Sequence, residues 1–136
     1  MRRYKVVSET KEKLKKLITD TYTSRLRLTE LYEGRFLQEY MITLREHEIE
    51  KLKAMAYLKV IEQPENKSAV EEERKSRVIC ALVEEKAYRT ALTSISRYRL
   101  KINRLNAEIA VLEAGIKKME SEERLLFLKL EQNKVN

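Results

Sequence analysis

The chain has 136 residues, with 29 Lys and Arg against 22 Asp and Glu, for a net charge of +7. Charged residues make up 38% and apolar ones 43%, with two Gly, one Pro and no Trp. That composition signals long helices rather than sheet and fits one domain. A single cysteine excludes an internal disulfide, a single histidine excludes a histidine-pair metal site, and no apolar run approaches the ~18 residues of a membrane span.

Residues 1–7 form a short basic arm carrying Arg2, Arg3 and Lys5. It lacks the apolar stretch of a secretory leader, so the expected setting is a reducing cytoplasm. Ser8 is the expected N-cap of a first helix over about residues 8–61, with Glu9 in the first turn, where negative charge suits the helix dipole. Thr19 to Ser24 is the weakest helical stretch, because its hydroxyl side chains compete for backbone hydrogen bonds. Gly34 reads as a tolerated helical glycine or a mild kink, the alternative being a break between two helices. From Phe36 to Ile61, Leu37, Met41, Leu44, Met55 and Leu58 mark one stripe, and Ile42, Ile49, Leu52 and Ala56 mark a second. Together they make an apolar face wider than a two-helix contact covers.

Residues 62–68 are the expected turn. Pro64 cannot continue a helical ladder and pushes its predecessor out of helical geometry. Ser68-Ala69-Val70-Glu71 then has the pattern of a capping box opening a second helix over about residues 69–130. Within it, Tyr88, Ala91, Ile95, Tyr98, Ile102, Leu105, Ile109, Leu112, Ile116 and Met119 recur at alternating three- and four-residue steps. That spacing is the seam of a coiled coil.

Two long helices joined by a short turn run antiparallel. The expected fold is therefore all-α: residues 1–136 as one antiparallel two-helix coiled-coil hairpin. Counting outward from the turn sets Ser8 near Glu122, Gly34 near Ser96, and Arg25 and Arg27 near residues 103–105. The leftover apolar width calls for a second layer, most simply a homodimer in a four-helix arrangement, the rival being a different protein over the same face.

Little in the chain suits catalysis. His47 lies among Glu46, Glu48 and Glu50 and reads as a solvated side chain. Cys80, inside Val78-Ile79-Cys80-Ala81-Leu82, reads as a buried structural thiol. Glu71, Glu72 and Glu73 serve a helix N-terminus, Glu108 and Glu113 do not share a helix face, and the two glycines build no phosphate loop. The expectation is no enzyme, no cofactor, no metal and no small-molecule ligand.

The basic residues are the stronger lead. Residues 86–107 contain Lys86, Arg89, Arg97, Arg99, Lys101 and Arg104 and no acid. Arg97, Lys101 and Arg104 fall on one side of a helix, and the mirror count adds Arg25 and Arg27 to make a cationic belt. Arg2, Arg3 and Lys5 form part of a second cluster. Guanidinium groups match phosphate with paired donors, so Arg25, Arg27, Arg97, Arg99, Lys101, Arg104, Arg2, Arg3 and Lys5 are the candidate contacts to a nucleic-acid phosphate backbone, or to an acidic protein; the plainer account is a solvated flank. Six of the seven tyrosines read as core or flank, and only Tyr4 as an exposed ring.

The stretch from Lys53-Ala54 through Glu71 to Glu73-Arg74, with the helix from Ala107 to Ala114, resembles small helical proteins of bacteriophage early gene regions, which neighbour replication and recombination genes. The architecture is also similar to the basic coiled-coil hairpins of flagellar and type III secretion stalks. Neither resemblance assigns a role to a residue. The expected function is a self-associating, non-enzymatic adaptor or accessory protein beside DNA or RNA in a phage or mobile-element setting; the alternative is a protein-only coiled-coil stalk or chaperone.

Overall fold

The computed structural model describes the backbone of residues 2–67 and 69–135, and side chains as far as 133. It contains α1 (Arg2–Glu62), a 3-10 turn (Pro64–Asn66), α2 (Glu71–Glu84) and α3 (Lys86–Val135). The fold is all-α, with no strand among the described residues. The chain divides into two compact units, one of Met1–Gly34 with Arg104–Asn136 and one of Arg35–Asn103. No helix among the described residues is long and apolar enough to cross a membrane.

α1 starts well before the expected cap, so Ser8 lies inside it, and it passes Gly34 without interruption. Its threonine-rich stretch stays helical because the hydroxyls bond backward along the same helix. Thr19 Oγ1 donates to the Lys15 carbonyl at 3.0 Å, Thr21 to Leu17 at 2.8 Å and Thr23 to Thr19 at 3.0 Å. The polar groups that would favour a turn are thereby satisfied within the helix.

In the first unit, α1 and α3 run antiparallel. Thr21 Oγ1 donates to Glu123 at 2.7 Å, Arg25 to Glu120 at 2.6 Å, and the Tyr32 hydroxyl to Glu113. Between them Leu14, Leu31, Ile109 and Ile116 are buried, with Leu105, Leu112 and Met119 half-buried. The register departs from the mirror count. Glu123, next to the residue expected at Ser8, sits at Thr21, and Gly34 faces Leu105 rather than Ser96. The count treated every residue as an equal helical step outward from the turn, and the chain between the paired segments is not uniform helix.

That irregularity lies in the second unit. The turn is closed by Asn66, which is 1% exposed. Its Nδ2 donates to the Val60 carbonyl at 2.9 Å, occupying an acceptor in the last turn of α1, and to Gln63 Oε1 at 3.0 Å. Arg74, from the first turn of α2, donates to the carbonyls of Asn66 at 3.0 Å and Lys67 at 2.8 Å. The capping-box expectation meets a different start: α2 begins at Glu71 with Val70 at the N-cap and no side-chain cap, and Ser68 lies outside the described residues.

The expected second helix is two helices. Glu85 is extended, with φ −78° and ψ 119°, and ends α2 by donating to the Leu82 carbonyl at 3.0 Å. No Gly or Pro explains the break; apolar phase does. Leu82 is the buried residue of α2 and lines one groove with Leu52 and Ala56 of α1. Beyond the break, Ala91 and Ile95 are buried with Ile49, and Tyr88 and Ile42 pack against them. Leu82 and Ala91 are nine positions apart, about two and a half turns, so an unbroken helix would point them in opposite directions. Interrupting the helix at Glu85 lets both reach α1. Tyr98 and Ile102 continue the seam half-buried.

Three variants check this description by chemical denaturation followed by circular dichroism. Gly34→Ala should stabilise by about 1 kcal/mol, since alanine is the better helix former and its Cβ would meet Leu105 at 3.8 Å, an ordinary contact. Asn66→Ala should destabilise by about 1–3 kcal/mol, stranding the buried Val60 carbonyl. Ile109→Asp should remove most of the helical signal by placing an unpaired charge in a dry seam.

Candidate functional site

The arginines expected to join one belt are divided by their partners. Arg25 is held by Glu120 at 2.6 Å. Arg27 lies 3.1 Å from Glu30 and 3.6 Å from Glu108. In the other unit, Arg99 lies 3.9 Å from Glu46. The shifted register accounts for the first unit: Arg25 and Arg27 meet acidic residues of α3 instead of residues 103–105. These pairs are solvent-exposed and each contributes at most about 1 kcal/mol, yet each offsets a positive charge locally. Arg45 is also occupied, since its guanidinium donates to Glu48 at 3.0 Å. Glu48, and secondly the Tyr98 hydroxyl, raise its pKa above the ordinary arginine value.

One group of cations without such partners lies on a side of α3 in the second unit. Lys86, Arg89 and Arg97 line a shallow groove with Thr90, Thr93 and Ser94. Positions 86, 89, 93 and 97 advance by three, four and four residues, which keeps them on one helix face. The buried positions Ala91 and Ile95 occupy a different side, so the cations stand outward and all three are exposed. Among the described residues none of the three side chains has a carboxylate partner. The Thr93 hydroxyl donates to the Arg89 carbonyl at 3.0 Å, while those of Thr90 and Ser94 have no hydrogen-bond partner among the described residues. The face thus combines three unneutralised cations with two available hydroxyl donors.

Of the other expected contacts, Lys101 lies over the Tyr98 ring, 5.8 Å from its centroid. Arg104 is exposed and belongs to the other unit. Arg2, Arg3 and Lys5 are exposed on the first turns of α1. The sequence reading centred on Arg97, Lys101 and Arg104; running the same helical count backward reaches Lys86 and Arg89.

The apolar stripes of α1 also separate. In the second unit Ile49 and Ala56 are buried and Ile42 and Leu52 half-buried, whereas Leu37, Leu44, Met55 and Leu58 of the other stripe are exposed, together with Phe36 and Tyr40. In the first unit Ile18, Tyr22 and Leu26 are exposed at four-residue steps. Tyr22, Tyr32, Tyr40 and Tyr57 are therefore exposed rings, not core, and only Tyr88 and Tyr98 are half-buried. Tyr22 and Tyr40 project from the outward stripe.

Cys80 is exposed rather than buried. The inward positions of α2 are Val78 and Leu82, and a residue midway between them points away. His47 is exposed on α1. Among the described residues, no three His, Cys, Asp or Glu side chains are gathered as metal ligands would be. The chain matches no family model, no curated protein and no solved structure.

The placement of Cys80 is open to direct test. A thiol-reactive dye should label one thiol per chain in the native state, at a rate that denaturant raises only slightly; labelling that waits for unfolding would contradict it.

Proposed function

We propose that the chain is a non-enzymatic, self-associating helical adaptor that works beside nucleic acid in a phage or mobile-element setting. In this reading its helices form one long antiparallel coiled-coil hairpin, and two copies pack as a four-helix arrangement. The observation that carries it is the outward apolar stripe of α1. Phe36, Leu37, Tyr40 and Leu44 lie on the side away from Ile42 and Ile49 and remain 70, 54, 53 and 40% exposed. A helix that is apolar on two sides has a second surface to bury, and exposed apolar patches of this kind mark interaction sites.

The unneutralised cations of α3 support the nucleic-acid half, and the role is a binding one because the exposed cations and apolar side chains form surfaces rather than a pocket of converging titratable groups. Light scattering after size-exclusion chromatography tests self-association. The expected mass is that of two chains of 16.2 kDa, falling to one when Tyr40→Glu and Leu44→Glu are combined. A wild-type chain that stays single at every accessible concentration would overturn this half.

A protein-only stalk or chaperone is the second reading, favoured by the ion pairs of Arg25, Arg27 and Arg99, which consume charge that a nucleic acid would otherwise meet. It predicts that Arg97, Lys101 and Arg104 can be neutralised together with no loss of partner binding.

A further inference from the structure

We infer that the face formed by Lys86, Arg89, Thr90, Ser94 and Arg97 is the surface that takes a nucleic-acid phosphate backbone, without regard to base sequence. The inference rests on the nucleic-acid half of the proposed function and names its site and mode. It replaces the broad belt of the sequence reading with one side of one helix.

Three features of the face select this ligand. The first is the absence of local neutralisation. Arg25, Arg27 and Arg99 each lie within 4 Å of a carboxylate, and a phosphate would have to displace it. Lys86, Arg89 and Arg97 have no such competitor among the described residues.

The second is spacing. Lys86 and Arg97 are eleven residues apart, about 16 Å along the helix. Cations strung out over that length cannot converge on one free phosphate. They suit an anion that repeats along a line, and a nucleic-acid strand supplies a charge at every nucleotide.

The third is what lies between the cations. Thr90, Thr93 and Ser94 are short and polar. A membrane-surface helix would set large apolar side chains beside its lysines and arginines to enter the acyl boundary. Thr90 and Ser94 instead present hydroxyl donors, which commonly bond phosphate oxygens. The face carries no Asn, Gln, Asp or Glu to discriminate one base from another, and its cations follow the repeat of the phosphates, so contact should be indifferent to sequence.

The test measures binding of two fluorescent DNA duplexes of equal length and unrelated sequence over a series of salt concentrations. The proteins compared are the wild type, the triple variant Lys86→Gln, Arg89→Gln, Arg97→Gln, and the control Arg25→Gln, Arg27→Gln. All five sites are exposed, and unchanged circular dichroism checks that the helices persist. Wild type should bind both duplexes alike. The triple variant should lower the slope of log affinity against log salt by about 2.7, the release expected for three phosphates on duplex DNA, and the control by less than one.

Binding by wild type with the slope unchanged in the triple variant overturns this site and leaves the nucleic-acid reading standing elsewhere on the chain. No binding by wild type at about 50 mM salt overturns both. Equal displacement of the duplex by polyglutamate at matched charge, lost in the triple variant, reassigns the face to an acidic protein and overturns the inference. A strong preference for one duplex overturns the sequence-independent mode.

Discussion

Helices share a dry seam only while their apolar side chains stay in phase, and that requirement shapes this chain more than any hydrogen bond in it. Each helix buries one side. On α3 the buried positions drift slowly around the helix, as a seven-residue repeat does on a 3.6-residue turn. Where the repeat holds, the helix is continuous. Where it fails, between Leu82 and Tyr88, the helix stops and starts again at Glu85. An unbroken helix would keep more backbone bonds than the two that span the junction, Glu85 to the Leu82 carbonyl and Arg89 to the Glu85 carbonyl, so the apolar phase is what decides the boundary between α2 and α3.

The seam was legible from sequence because it is periodic over many turns. All ten of its residues are buried or half-buried. The register was not legible, since it depends on how much chain the reversal consumes, and that is set by Asn66, Arg74 and the extended residue Glu85. The pull of Asn66 on the Val60 carbonyl has no sequence signature beyond an asparagine near a proline. The break did leave a trace, the interval from Leu82 to Tyr88, which is neither three, four nor seven residues. Composition hid it, because Leu, Val, Glu, Lys and Ala on either side are all acceptable in helices.

The charged surface was legible in kind but not in place. An acid-free run of cations can be read from the letters alone; which cations remain unneutralised depends on which carboxylates lie across from them. A displaced register therefore moved Arg25 and Arg27 from a shared belt into separate ion pairs, while Lys86, Arg89 and Arg97 lie on a side of α3 away from the seam. The same displacement gave Gly34 a leucine neighbour instead of a serine. Cys80 and the tyrosines were misread for a simpler reason. Apolar neighbours in sequence are not neighbours on a helix surface, and α1 carries more apolar side chains than one seam can cover.

The extended residue at Glu85 has a bearing on how such a chain tolerates changes of length. Leu82 and Tyr88 are six positions apart, one fewer than a full heptad. Adding a single amino acid between them would bring α2 into step with α3 and remove the reason for the interruption, turning two helices into one. Losing a residue there would widen the mismatch. A change of length at this point therefore acts on the junction of α2 and α3 alone and leaves the identity of every buried side chain as it is.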